Sequence, residues 1–232
     1  MKTKKAEKEN HHRKILHHSI KMSYKEYAEE PMADYYGQPL IGIPSRVRVK
    51  KIVQCLHEMG GKVLEVGCEA GYVCQFLSKN IPATIFGFDP CIPALMDFKK
   101  RNDSSHKKVS ICAALAQEIC FRSKTFDAVV CTEVIEHTPH IDGIFAELSR
   151  VLKDGGAFIL TFPYERLRKI VYPVVKYFGI NTDVEKEVTL FNYGRREIEE
   201  KLGLQFSIVY SSLIFKFFPI TYFYCCRKKH VS

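Results

Sequence analysis

The chain has 232 residues, 46% of them hydrophobic and 26% charged, with a formal net charge of +9. That length suits one domain with a sizeable core and a small appendage, and the composition excludes a disordered or collagen-like chain. The nine cysteines contain no CxxC pair and fall mostly in apolar runs, which reads as free thiols in a reducing, cytoplasmic setting, not as a zinc site or disulfide framework.

Residues 1–32 are polar, irregular and basic, with Lys2, Lys4, Lys5, Lys8, Arg13, Lys14 and Lys21 close together. They read as a solvated N-terminal arm, with RNA or an anionic membrane surface as the alternative partner. The arm lacks the apolar stretch of a signal peptide. Residues 33–232 form the remaining domain. Ser45 stands where it can cap a helix running to about residue 59, and Gly60-Gly61 stops it. A short apolar run, 63–66, is followed by a glycine-bearing turn from Gly67 to Gly71 and then a helical segment. Apolar runs recur at 84–88, 109–113, 126–131 and 157–162, with helical patterns at 91–101 and 141–152 between them. Asp154-Gly155-Gly156 turns the chain into the fifth of these runs. Alternating strands and helices joined by short turns predict βαβ units and a mostly parallel sheet, an α/β fold.

Residues 164–192 leave that rhythm and read as an insertion. A helix over 195–202 follows, with Gly203 as its C-cap. The most apolar stretch, 206–226, is broken by Lys216 and Pro219 and predicts two adjacent strands in preference to a membrane span.

The chemistry starts at the glycine turn. Strand, glycine turn and helix bring backbone N–H groups close to a nucleotide-like ligand. Asp89 ends the next strand, where a carboxylate can take both hydrogen bonds of a ribose diol. It can equally cap the helix that follows it.

Several blocks together resemble the class I S-adenosylmethionine-dependent methyltransferases. They are Leu64-Glu65-Val66-Gly67-Cys68-Glu69-Ala70-Gly71, then Gly87-Phe88-Asp89, then residues 126–137, then residues 148–163 with Val151-Leu152-Lys153-Asp154-Gly155-Gly156. The resemblance spans residues 45–163 well and 190–226 loosely, and leans toward the ubiquinone-pathway O-methyltransferases. It implies a Rossmann-like, seven-stranded, mostly parallel sheet with helices on both faces and an antiparallel terminal strand pair. It implies S-adenosylmethionine as cofactor. Glu65 would order the start of the loop or bind the cofactor's amino group through water, Gly67, Cys68 and Gly71 would line its methionine part, and Asp89 would hold the ribose. Pro90 and the main chain at Ala116 would lie beside the adenine, and Glu133 at the reactive end. Two positions depart from the family pattern. Glu69 replaces the middle glycine of the turn, and Leu115 stands where an adenine-binding Asp is common.

Glu133, Glu136 and His137 share a face if their segment is helical. Three readings are open. The trio holds Mg²⁺ or Mn²⁺, as a similar set does in ubiquinone-pathway and small-RNA methyltransferases. Alternatively His137 is a metal-free general base beside Glu133, or it is structural. Tyr164, Tyr172, Tyr177, Phe178 and Phe191 suit an apolar acceptor pocket or the packing of an extra helix, and Arg166, Arg168 and Lys169 add positive charge. Tyr35 and Tyr36 are either packing aromatics or a cover for the cofactor. The expected acceptor is a small or lipid-linked molecule, methylated on oxygen. RNA, or a non-catalytic scaffold role, is the alternative.

Overall fold

The structure, a computed structural model, describes residues 42–101, 109–138, 140–164, 167–170, 191–214 and 221–230, together with residues 21, 24 and 173. Nearly all of the basic arm, Tyr35 and Tyr36, and Arg166, Tyr172, Tyr177 and Phe178 of the insertion lie outside the described residues.

Helix α1 (Ile43–Leu56) leads into strand β1 (Gly61–Val66), helix α2 (Tyr72–Asn80), strand β2 (Ala83–Asp89), helix α3 (Ile92–Arg101) and strand β3 (Val109–Ala113). Strand β4 (Phe126–Thr132), a single 3₁₀ turn (Ile135–His137), helix α4 (Ile141–Val151) and strand β5 (Leu152–Pro163) follow. Helix α5 (Arg195–Gln205) and strands β6 (Phe206–Ile214) and β7 (Thr221–Lys228) complete the order. The seven strands lie in one sheet in the order β3-β2-β1-β4-β5-β7-β6. The five from β3 to β5 are parallel, and β7 runs antiparallel to both β5 and β6. The expected Rossmann-like sheet with its antiparallel terminal pair is what forms.

Residues in the central strands are apolar at most positions because both faces are covered. Leu64, Val66, Val129, Cys131, Phe158 and Leu160 point to one side, under Ile144, Phe145 and Leu148 of α4 and Ile198 and Leu202 of α5. Val63, Ile85, Ala128, Val130 and Ile159 point to the other, under Val49, Ile52 and Leu56 of α1 and Val73 and Leu77 of α2. Burying each such aliphatic side chain contributes about 1.5–3 kcal/mol. At the amino edge of the sheet, Asp127 accepts from the Lys62 N–H at 2.9 Å and the Lys153 Nζ at 2.7 Å, so it is a structural tie far from the opposite edge. Among the described residues no helix is long and apolar enough to cross a membrane.

Three boundaries differ from expectation. Gly42, not Ser45, is the N-cap of α1; Pro44 occupies the first turn, and Ser45 is buried inside the helix. Helix α5 runs through Gly203 to Gln205 and stops where Phe206 turns extended. Residues 154–156 do not form a separate turn before β5. They are absorbed into it as an irregularity: Phe126 pairs Leu152 while Ala128 pairs Ala157, and Gly155 takes φ +71° to absorb the extra residues.

Candidate functional site

Strand order reverses between β1 and β4, and open α/β sheets bind ligands at the carboxyl ends of strands at such a point. The predicted site residues gather along that edge. The turn after β1 is anchored to β2, with the N–H groups of Gly67 and Cys68 both donating to the Phe88 carbonyl at 3.0 Å. Gly67 and Gly71 have φ of +70° and +71°. A Cβ on Gly67 would lie 2.5 Å from Val134 Cγ2, and one on Gly71 would lie 2.2 Å from the Phe98 ring. Both positions therefore need glycine for conformation and for space.

Glu69 also takes a left-handed conformation, φ +45°. This accounts for the family's preference for glycine at that place. Its N–H donates to Asp89 Oδ2 at 2.9 Å, and the Cys91 N–H donates to Asp89 Oδ1 at 2.7 Å. One carboxylate thus holds the turn and caps the approach to α3. A carboxylate offers about four lone-pair sites, more than these two bonds use. The ribose and helix-cap readings of Asp89 are compatible.

Glu65 is buried in β1, and its Oε2 has no hydrogen-bond partner. Burial pushes its carboxyl up to about 8, against the opposing effect of hydrogen bonds from Cys74 on α2. An orphaned buried acid suits a cationic nitrogen. With the two glycines and Asp89 it makes a set that fits an amino-acid-bearing nucleoside such as S-adenosylmethionine. Pro90 and the buried Cys91 adjoin Asp89. The segment after β3 turns at Leu115, whose carbonyl accepts from the Glu118 N–H at 3.0 Å, and Ala116 is buried beside it. Glu147 and Arg150 of α4 hold the far end of this segment through Ile119 and Phe121.

The trio after β4 does not converge. Glu133 precedes the 3₁₀ turn with φ +52°, so its carboxylate leaves the helical face that the spacing implied. It meets Thr161 Oγ1 at 2.9 Å and the Arg48 guanidinium at 3.3 Å. Glu136 is buried, with Oε2 lacking a hydrogen bond, and burial pushes its carboxyl up to about 8. His137 Nε2 lies 3.9 Å from Glu136 Oε1. Among the described residues no group of three or more His, Cys, Asp or Glu side chains is placed to hold a metal ion. These residues do not fit the expected Mg²⁺ or Mn²⁺. The wall beside them is aromatic and basic. Tyr164 packs on Tyr222, the Phe191 N–H donates to the Glu136 carbonyl at 2.9 Å, and the buried Arg168 bears on the Glu136 carboxyl. Sequence reasoning missed Arg48 and Thr161. A lone arginine on a helix and a threonine in an apolar strand give no signal by themselves.

Residues 64–160 match the family described as "Methyltransferase domain". A sterol 24-C-methyltransferase of Aspergillus fumigatus is 34% identical over 109 residues, 44% of this chain and 29% of that protein. A ubiquinone biosynthesis O-methyltransferase of Bradyrhizobium diazoefficiens is 30% identical over 115 residues, 49% of this chain and 45% of that protein. The matched region spans under half the length of these curated relatives. The crystal structure of the PH0226 protein from Pyrococcus horikoshii OT3 superposes with a TM-score of 0.69 at 22% identity, covering 88% of this chain and 99% of that one, which is a likeness of fold. With the strand order, the glycine turn and the acidic end of β2 already in place, these matches show that residues 64–160 carry a methyltransferase domain on a class I type of sheet.

Proposed function

We propose that this chain is a working S-adenosylmethionine-dependent methyltransferase that methylates an oxygen of a small or lipid-linked acceptor. The observation that carries the reading is the edge formed by Glu65, the 67–71 turn and Asp89: a buried carboxyl whose Oε2 lacks a hydrogen bond on one side, and a carboxylate that orders the turn and the start of α3 on the other. It supports an assignment of Glu65 to the cofactor's amino group, Gly67, Cys68 and Gly71 to its methionine part, and Asp89 to its ribose. Pro90 and the main chain at Ala116 are assigned to the adenine.

S-adenosylmethionine, when bound, supplies a methyl group on a positively charged sulfur, an already activated donor. The protein's contribution is then mainly positioning. His137, half-buried at the end of the 3₁₀ turn, is the candidate base that takes the proton from the acceptor hydroxyl. Glu133 is assigned to the reacting end of the cofactor. The aromatic wall of Tyr164 and Phe191 suits an apolar acceptor. Oxygen as the target follows the ubiquinone-pathway relative; the sterol relative is named for methylation of carbon. The basic arm, on which an RNA acceptor would depend, lies outside the described residues.

The test is calorimetry with S-adenosylmethionine, followed by transfer of a radiolabelled methyl group to metabolite, lipid and RNA extracts. Cofactor binding with label in a phenolic or hydroxyl-bearing small molecule or lipid supports the reading. No binding at millimolar cofactor overturns it. Binding without transfer to any fraction favours a scaffold.

A further inference from the structure

We propose that Arg48 is a positioning residue that aims the Glu133 carboxylate at the bound cofactor, acting through a clamp shared with Thr161. The inference rests on the cofactor reading above and adds a residue from outside the nucleotide-binding motifs. A nearly buried guanidinium is costly unless it is paired. The Arg48 side chain is only 7% exposed, in the second turn of α1, and its Nη1 lies 3.3 Å from Glu133 Oε1. The Thr161 hydroxyl donates to that same oxygen at 2.9 Å. The Glu133 N–H donates to the Thr161 carbonyl at 3.1 Å. The backbone of Glu133 is therefore held by β5, and one of its carboxylate oxygens by β5 and α1 together. Its Oε2 accepts no hydrogen bond among the described residues, and the side chain is 18% exposed. One oxygen is committed to the protein, and the other is available to a ligand.

The local backbone supports the same conclusion. Glu133 has φ +52°, a left-handed conformation that is strained for a non-glycine residue. Such strain persists where surrounding contacts over-determine it, and it concentrates at ligand-binding sites. Without the clamp, a residue one step past β4 would relax toward the helical conformation of the turn that follows. Its carboxylate would then swing toward the buried Glu136, an unfavourable approach of two acids. Arg48 holds the two apart. It also ties α1 to the reacting edge of the sheet.

A double-mutant cycle on cofactor affinity tests this without any knowledge of the acceptor. Calorimetry with S-adenosylmethionine is run on the wild type, Arg48→Gln, Glu133→Gln and the double variant, with thermal unfolding of each. Each single variant is expected to weaken binding by about tenfold, and the double by no more than Glu133→Gln alone. Arg48→Lys, which keeps the charge but not the planar fork, recovers part of the loss. Additive losses, or a lowered unfolding temperature with unchanged affinity, mean that Arg48 is merely structural and overturn the proposal. Should Arg48→Gln fail to fold, Thr161→Val and Arg48→Lys take its place in the same cycle, and additivity there overturns it equally. Failure of the wild type to bind cofactor defeats the function reading itself, an outcome distinct from binding that ignores Arg48.

Discussion

The Glu69 N–H and Asp89 Oδ2 meet at 2.9 Å, joining the glycine turn after β1 to the end of β2. Because Cys91 donates to the other oxygen, replacing Asp89 frees the turn and the start of α3 together. Asp89→Ala is expected to weaken cofactor binding by more than about tenfold, or 1.4 kcal/mol, as read by calorimetry. It should also cost about 1 kcal/mol of stability through the lost cap, as read by denaturant unfolding. An unchanged dissociation constant removes the ribose assignment.

Glu69 sits at φ +45°, where glycine is free of the roughly 1–2 kcal/mol penalty. Glycine also costs about 0.5–1 kcal/mol in chain entropy. Glu69→Gly is therefore expected to change stability by under about 1 kcal/mol and to hold or tighten cofactor binding. A clear loss of affinity would give the Glu69 carboxylate a positive role in this turn.

Burial holds the Glu65 carboxyl near 8, so it is largely protonated at pH 7 in the cofactor-free protein. A cationic amino group beside it favours the ionised form, and binding at pH 7 should release close to one proton. Calorimetry in two buffers of different ionisation enthalpy measures the release. Glu65→Gln should abolish it; wild-type binding with no proton release sinks the assignment.

The same two buried acids set the pH dependence of stability. Glu65 and Glu136 both have folded-state values of about 8, above the ordinary glutamate range near 4.3. A raised acid stabilises the fold fully below its unfolded value, and that contribution is lost as pH rises through the folded value. The melting temperature of the cofactor-free protein should fall from about pH 5 to pH 8, and Glu136→Gln should flatten the slope. Asp127, Glu147 and Asp154 are shifted the other way and act only at lower pH.

His137→Gln should lower methyl transfer by about 10²–10⁴-fold while leaving cofactor affinity near the wild-type value. Transfer should survive EDTA, and Mn²⁺ added to the protein should keep its free electron-spin signal. Bound Mn²⁺ in that titration would restore a metal to the Glu133, Glu136 and His137 segment.

The succession of strands along the chain and the glycine turn were legible because they depend on local chemistry: apolar runs of strand length, and glycines where the chain turns left-handed at Gly67 and Gly71. Asp89 was legible for the same reason, as the acidic end of such a run. The face of Glu133 was not. Helical spacing would have aligned it with Glu136 and His137, but one left-handed residue rotates it onto Arg48, 85 positions earlier in the chain. Long-range contacts of this kind leave no periodic trace. Ser45 and Gly203 misled through a related gap, since cap and stop residues compete locally and packing decides which one acts.

Strand β7 lies between β5 and β6, antiparallel to each, although it is the last of the seven to be made. During synthesis β5 and its neighbours emerge with an open apolar edge that only residues 221–228 can close. Completion of the sheet is therefore a late event tied to the far end of the domain. A ribosome stalled before residue 221 would present a nascent chain with the cofactor turn already formed but one flank of the sheet still exposed to foreign strands.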